Sequence, residues 1–228
     1  MWWIIPITAL IGYLIGSIPV GYVVIRLMKG EDIRTHGSGR TGGTNALRAG
    51  GLGAGALTML GDAAKGYMAV LLARLVMGQE ALATNLGAVA AALAGLGAVV
   101  GHNWSVYLGF KGGAGTAPNI GASIALWPIA GLYLAPMVPL GLFLIGYASV
   151  TSLLIAGMVL VTFVVRAALQ ADPNWWYAGY GVAAAAAVVW ALRPNIRRLR
   201  EGSERMVGLR ARLARKRNGG DTETGQTL

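Results

Sequence analysis

The sequence predicts an all-α integral membrane protein of about seven transmembrane helices, with its N-terminus outside and its C-terminus cytoplasmic. Three observations carry this reading. Hydrophobic residues make up 55% of the 228-residue chain and charged residues only 12%, with a mean hydropathy of +0.59, well beyond the range of soluble domains. Seven apolar runs approach the roughly 20 residues that a helix needs to cross a bilayer. Basic residues gather in alternate connections and at the C-terminal end, as cytoplasmic segments require.

The runs cover residues 2–27, 52–77, 81–100, 116–130, 132–147, 152–169 and 175–192. The first holds Pro19, which removes a backbone donor and should bend or weaken the helix. The fourth and fifth are short, and Pro128, Pro136 and Pro139 blur their division. Orientation follows from charge. Lys29, Arg34, Arg40 and Arg48 follow the first run, Lys111 follows the third, and ten of the 19 Lys and Arg residues lie in 193–217. The opposite connections carry Glu80 and Asp172, and Trp2, Trp3, Trp175, Trp176 and Tyr177 would form an aromatic belt at the outer interface. Gly- and Ala-rich stretches such as 86–97 suit close helix packing in lipid.

Residues 1–205 are expected to form one transmembrane helical domain, and 206–228 a basic, then polar and partly disordered tail. The start of the chain lacks a basic n-region and reads as a retained span, not a cleaved signal. The absence of cysteine excludes disulfides and thiolate chemistry. A net charge of +10 concentrated beside an apolar helix fits anionic lipid headgroups as partners, and not nucleic acid.

The chemistry is concentrated in two glycine-rich basic connections placed on one side of the membrane. In residues 32–48, Gly37, Gly39, Gly42 and Gly43 alternate with Ser38, Thr41, Thr44 and Asn45, and Arg34, Arg40 and Arg48 add positive charge. Such a stretch can aim backbone N–H groups at a phosphate, although a flexible basic linker has the same composition. Gly37 to Gly42 matches G-x-G-x-x-G, but without the strand that a dinucleotide site needs. In residues 101–121, Lys111, Gly112, Gly113 and Gly115 form a second candidate phosphate nest, with His102 and Asn103 at the preceding helix end. His102 is a candidate base or a hydrogen-bonded structural residue. Asp62 and Lys65 lie within the second run at i, i+3 spacing, as an internal ion pair or a substrate contact. Asn195, Arg198 and Glu204 follow the last run and could face both loops. With two histidines and scattered acids, no metal site is expected. Metal-free acyl or phosphoryl transfer on one or two phosphate-bearing groups remains.

These segments together resemble the bacterial acyl-phosphate:glycerol-3-phosphate acyltransferases. Residues 16–19 with 32–48 look like the family's first motif, Asp62 to Gly66 like its D-x-x-K-G element, residues 101–115 like its second motif and 195–204 like its third. The resemblance implies a seven-span enzyme of the bacterial plasma membrane, with its site facing the cytoplasm and no cofactor. It would move a fatty acyl group from acyl phosphate to the 1-hydroxyl of glycerol 3-phosphate, giving lysophosphatidic acid and phosphate. It implies Ser38, Arg48 and His102 as catalytic residues. Arg34, Gly37, Gly39, Arg40, Thr44, Asn45, Lys65, Lys111, Gly112, Gly113 and Asn195 would bind substrate or phosphate, and Asp62 and Glu204 would be structural. Several positions depart from the family pattern: Arg40 for Asn, Ala114 for Lys, Leu192 for His, Ser105 for Pro and Pro118 for Thr. Arg40 is then expected to restore, from the opposite loop, the positive charge missing at Ala114. Two other classes stay open: a non-catalytic paralogue that binds a phospholipid or phosphate ester, and a transporter of a phosphorylated solute.

Overall fold

The computed structural model describes residues 2–78, 84–169, 175–208 and 210–211; Glu80, Asp172 and the end of the tail lie outside them. All regular structure in the described residues is helical. The first apolar run is two helices, α1 (Ile4–Ser17) and α2 (Val20–Lys29), parted at Ile18 and Pro19 where the proline breaks the hydrogen-bond ladder. Gly30 ends α2 in the left-handed conformation, φ 71°.

The helix of the second apolar run, α3 (Gly43–Met77), begins nine residues before the expected position 52, and Gly51 at φ 80° marks a kink within it. The last part of the first glycine-rich connection is therefore helical. Ala46, Leu47, Arg48 and Ala49 are good helix formers, and the glycines on either side set the entry and the kink. Then follow α4 (Asn85–Asn103), α5 (Thr116–Leu126), α6 (Ala130–Leu144), α7 (Ala148–Ala168), α8 (Trp175–Ala191) and α9 (Arg193–Arg200). Thr84 caps α4 by accepting from the Gly87 N–H at 3.3 Å.

Length separates these helices. Residues 4–29, 43–77, 85–108 and 148–168 are long and apolar enough to cross a membrane, and α8 joins them if taken with α9 across a 59° bend. The sequence runs at 116–130 and 132–147 shrink to α5 and α6, of 11 and 15 residues, because the Trp127-Pro128 step cuts between them. At 1.5 Å per residue, α5 covers only about half of a 30 Å hydrocarbon core. Four or five helices thus meet the length of a full span, against the seven runs counted in the sequence.

Small residues let the helices touch. A Cβ on Gly12 or Gly16 would strike the α4 backbone at Ala94 or Ala98, and one on Gly66 would strike α5 at Pro118. The apolar core joins α3 through α8 around Val70, Ile120, Leu134, Ile155, Phe163 and Tyr180. Beyond α9 the chain folds back, and the Val207 N–H donates to the Gly146 carbonyl at 2.8 Å. Val207, itself buried, therefore packs on the bundle.

Candidate active site

A cavity, with about 890 Å³ of free space including its open mouth, lies where α3, α5 and α7 begin and where α4 and α8 end. Three helix N-termini line it: Gly43 to Asn45 of α3, Thr116 and Ala117 of α5, and Ala148 and Ser149 of α7. The first N–H groups of a helix have no partner within it, and the helix dipole favours negative charge there.

Asn45 shapes the first loop. Its Nδ2 has the carbonyls of Ile33, His36 and Arg40 at 3.1, 3.0 and 2.7 Å, which share its two N–H protons, and its Oδ1 accepts from the Ser38 N–H at 3.0 Å. Gly37 and Gly39, at φ 49° and 71°, supply the left-handed turns on either side of Ser38. The amide of Asn45 is thus spent on holding Ser38 at the cavity wall. Arg40 leaves this loop and bridges the others: one guanidinium N–H donates to the Gly113 carbonyl at 2.9 Å, another to the Ala191 carbonyl at the end of α8. Burial, with the neighbouring Arg198, pulls the Arg40 guanidinium below its ordinary pKa, and Glu204 opposes this. Arg48 stands one turn into α3 and reaches the Arg205 carbonyl at 3.5 Å.

Opposite lies a polar cluster centred on Glu204. Its carboxylate accepts from Asn195 Nδ2 at 2.7 Å, Arg198 Nε at 2.8 Å and Ser149 Oγ at 3.0 Å. Partial burial would raise the Glu204 pKa, but these three hydrogen bonds outweigh it and hold the carboxyl below its ordinary value. Below the cavity, Asp62 pairs with Lys65 at 2.8 Å and lies 3.4 Å from His102 Nδ1, while Lys65 also donates to the Ile18 carbonyl at the break between α1 and α2. On its other side the His102 ring packs on Gly113, where a Cβ would collide with it.

The charges do not balance. Among the described residues, Arg40, Arg48, Arg198 and Arg205 line the cavity against two carboxylates. Asp62 is paired with Lys65 and Glu204 with Arg198, so Arg40, Arg48 and Arg205 have no acidic partner there. One part of the wall is apolar, with Met59, Val138, Leu142 and Leu192.

The model of the family described as glycerol-3-phosphate acyltransferase matches residues 6–202. The chain belongs to this family. A glycerol-3-phosphate acyltransferase of Rubrobacter xylanophilus is 42% identical over 207 residues, 89% of this chain and 94% of the relative. One of Dehalococcoides mccartyi, numbered 3, is 40% identical over 217 residues, 90% and 97% of the two chains. The fold is similar to a crystal structure of PlsY, an integral membrane glycerol 3-phosphate acyltransferase in its glycerol 3-phosphate form. The TM-score is 0.76 at 32% identity, covering 91% of this chain and 98% of that one.

Of the residues expected from the sequence, Ser38, Arg40, Thr44, Asn45, Arg48, Asp62, His102, Gly113, Asn195 and Glu204 line this cavity. The others stand apart from its wall. Arg34 is tied to Asp32 by contacts of 2.7 to 3.0 Å, Lys65 lies beneath, and Lys111 is exposed. Gly37, Gly39 and Gly112 shape the loops without lining the cavity. His36, the histidine nearest Ser38 in the chain, contacts Glu31 at 2.7 Å instead. The structure adds residues that the sequence did not single out: Thr116, whose hydroxyl donates to Ser152 at 2.7 Å, and Ser149 and Thr151 at the start of α7. A Ser/Thr cluster between two apolar runs, at 149–152, was their one visible signal.

Proposed function

We propose that this acyltransferase moves a fatty acyl group from acyl phosphate to the 1-hydroxyl of glycerol 3-phosphate, releasing lysophosphatidic acid and inorganic phosphate. One observation carries the proposal: three helix N-termini and three arginines without acidic partners meet in one cavity that also has an apolar wall. Both substrates bear phosphate, and one bears an acyl chain, so the lining suits the pair.

Acyl phosphate is a mixed anhydride with a good leaving group. The glycerol oxygen attacks the carbonyl carbon, the carbon–oxygen bond to phosphate breaks, and the hydroxyl proton ends on the released phosphate. The protein's part is to hold two anions side by side and to stabilise the charge that develops on the carbonyl oxygen and the leaving group. Arg40 and Arg48 supply fixed positive charge for this, Ser38 a hydroxyl donor, and His102 a ring held between Asp62 and Gly113. Lys65 acts through Asp62, and Lys111 serves the approach of anions. The reading includes seven membrane crossings with α5 and α6 as short ones, the N-terminus outside, and the cavity facing the cytoplasm of a bacterial cell. The basic residues of the first loop, Lys111 and the C-terminal segment support that orientation.

The test is purified protein in lipid nanodiscs, given palmitoyl phosphate and glycerol 3-phosphate, with phosphate and lysophosphatidic acid both measured. Release of both in equal amounts, lost in Ser38→Ala, is expected. No release above that variant overturns the assignment.

A further inference from the structure

The short helix α9 carries four arginines in eight residues, and they divide between two faces. Arg198 turns to Glu204 and, with Asn195, lines the cavity. Arg193, Arg197 and Arg200, at i, i+4 and i+7, share the opposite face and are exposed. Arg197 pairs with Glu201 at 2.7 Å, whereas Arg193 and Arg200 have no acidic partner among the described residues. Like charges at this spacing repel, and eight residues are too few to hold a helix by themselves. Within α9 only Asn195 is buried, so packing does little to offset the repulsion. An anion at the exposed face would remove it.

Position says which anion. Trp175 and Trp176 begin α8 and Trp190 stands near its end, all three exposed, the pattern of a span with aromatic rings at both headgroup layers. α9 leaves α8 across a 59° bend, so its exposed face starts at headgroup depth. The Arg193 guanidinium stacks over the Trp190 ring. A stacked guanidinium keeps its charge and its in-plane N–H donors. The aromatic body suits the glycerol and first acyl carbons of a lipid, and the donors suit its phosphate.

We infer that Arg193, Arg197 and Arg200, with Trp190, bind the phosphate of an anionic phospholipid in the surrounding bilayer. The headgroup offsets the repulsion among the arginines and so steadies the helix whose other face carries Asn195 and Arg198 to the cavity. None of the four residues lines that cavity, and the site does not depend on the reaction proposed for it.

The test uses the full chain in nanodiscs of phosphatidylcholine mixed with phosphatidylglycerol, from which the protein is released into a mass spectrometer with its bound lipids. Wild type should keep phosphatidylglycerol over phosphatidylcholine by about 10- to 30-fold beyond their ratio in the disc, since each of two unpaired arginines favours an anionic headgroup by roughly 5-fold. In the double variant Arg193→Gln, Arg200→Gln this preference should fall close to one. The double variant Arg26→Gln, Lys29→Gln, which removes the same charge from exposed positions at the end of α2, should keep it. Phosphatidylglycerol should also raise the unfolding temperature of wild type more than that of the α9 variant. Should the α9 variant fail to fold, Arg200→Gln alone is read, with a partial loss of preference expected. Equal retention of both lipids by wild type would overturn the inference, as would a preference unchanged in the α9 variant. An equal loss in the α2 variant would overturn it too, because net charge and not this face would then select the lipid. So would displacement of bound phosphatidylglycerol by excess inorganic phosphate or glycerol 3-phosphate, which would mark the arginines as a site for soluble anions.

Discussion

Arg40 joins the first loop, the second loop and the end of α8 through one guanidinium, so removing it should uncouple all three. Arg40→Ala deletes two hydrogen bonds from a charged donor, to the Gly113 and Ala191 carbonyls. Each such bond contributes about 1.5 to 3 kcal/mol. The Ala191 carbonyl ends a helix beside the cavity, where water can replace part of what is lost, so we count the Gly113 bond in full and a fraction of the other. The total is about 3 kcal/mol, or on the order of 100-fold in kcat/KM. Arg40→Lys should recover part of this, because an ammonium can satisfy one carbonyl but not span both as the planar fork does. Arg40→Asn, which restores the residue usual at this position in the family, should lose activity unless Ala114→Lys is added to return the charge. The assay is phosphate release at varied glycerol 3-phosphate in nanodiscs, with unfolding temperature as the control. A folded Arg40→Ala protein within about threefold of wild type in kcat/KM would refute both the bridging argument and the charge-replacement argument.

Three further outcomes follow from the packing and the charges. Gly113→Ala should destabilise the protein by about 1 to 3 kcal/mol and lower activity, because its Cβ points into the His102 ring; Gly157→Ala, which meets nothing within 4 Å, is the control, and thermal unfolding compares them. Lys65→Met should cost about 3 to 5 kcal/mol by leaving buried Asp62 without its lysine and with only the more distant His102 beside it, whereas the double variant Asp62→Asn, Lys65→Met should recover most of it; equal unfolding temperatures for the single and double variants would count against the pairing. Glu204 has a folded pKa below its ordinary value, so its contribution to stability is fully present above the unfolded carboxylate range and is lost as pH falls through the folded pKa. The difference in unfolding temperature between wild type and Glu204→Gln should therefore be constant near pH 7 and shrink below about pH 4; a difference that grows on acidification would contradict the hydrogen-bond geometry.

The membrane character of the chain, the break at Pro19 and the gathering of the two glycine-rich loops could be read from the residues because composition and local backbone chemistry determine them. Span lengths could not. Hydropathy measures apolar content, and residues 116–130 are apolar enough to look like a span while Trp127 and Pro128 end α5 after 11 residues. The start of α3 was hidden for the opposite reason: Gly43 and Thr44 look like loop, and only tertiary packing makes them the start of a 35-residue helix. Among site residues, Arg34 and Arg48 have the same charge and sit in the same loop motif, yet Asp32 occupies the first and Arg48 is left to the cavity. Such a distinction depends on who stands next to whom in space, as does the role of Asn45, whose amide serves the loop backbone from end to end.

The arrangement also explains how a cavity with several arginines remains compatible with a folded membrane protein. Positive groups confined together repel, and each would be costly in lipid without compensation. Arg198 is balanced by Glu204, and Arg40 is held by carbonyl oxygens, including the one at the negative end of α8. Carbonyl dipoles steady a guanidinium without cancelling its charge, whereas a carboxylate partner would neutralise it. Arg40 can therefore be anchored and still act on an anionic substrate. Arg34, locked to Asp32, cannot. On the proposed reading, the choice of partner, carbonyl or carboxylate, separates the arginines that meet phosphate from those that only build the loop.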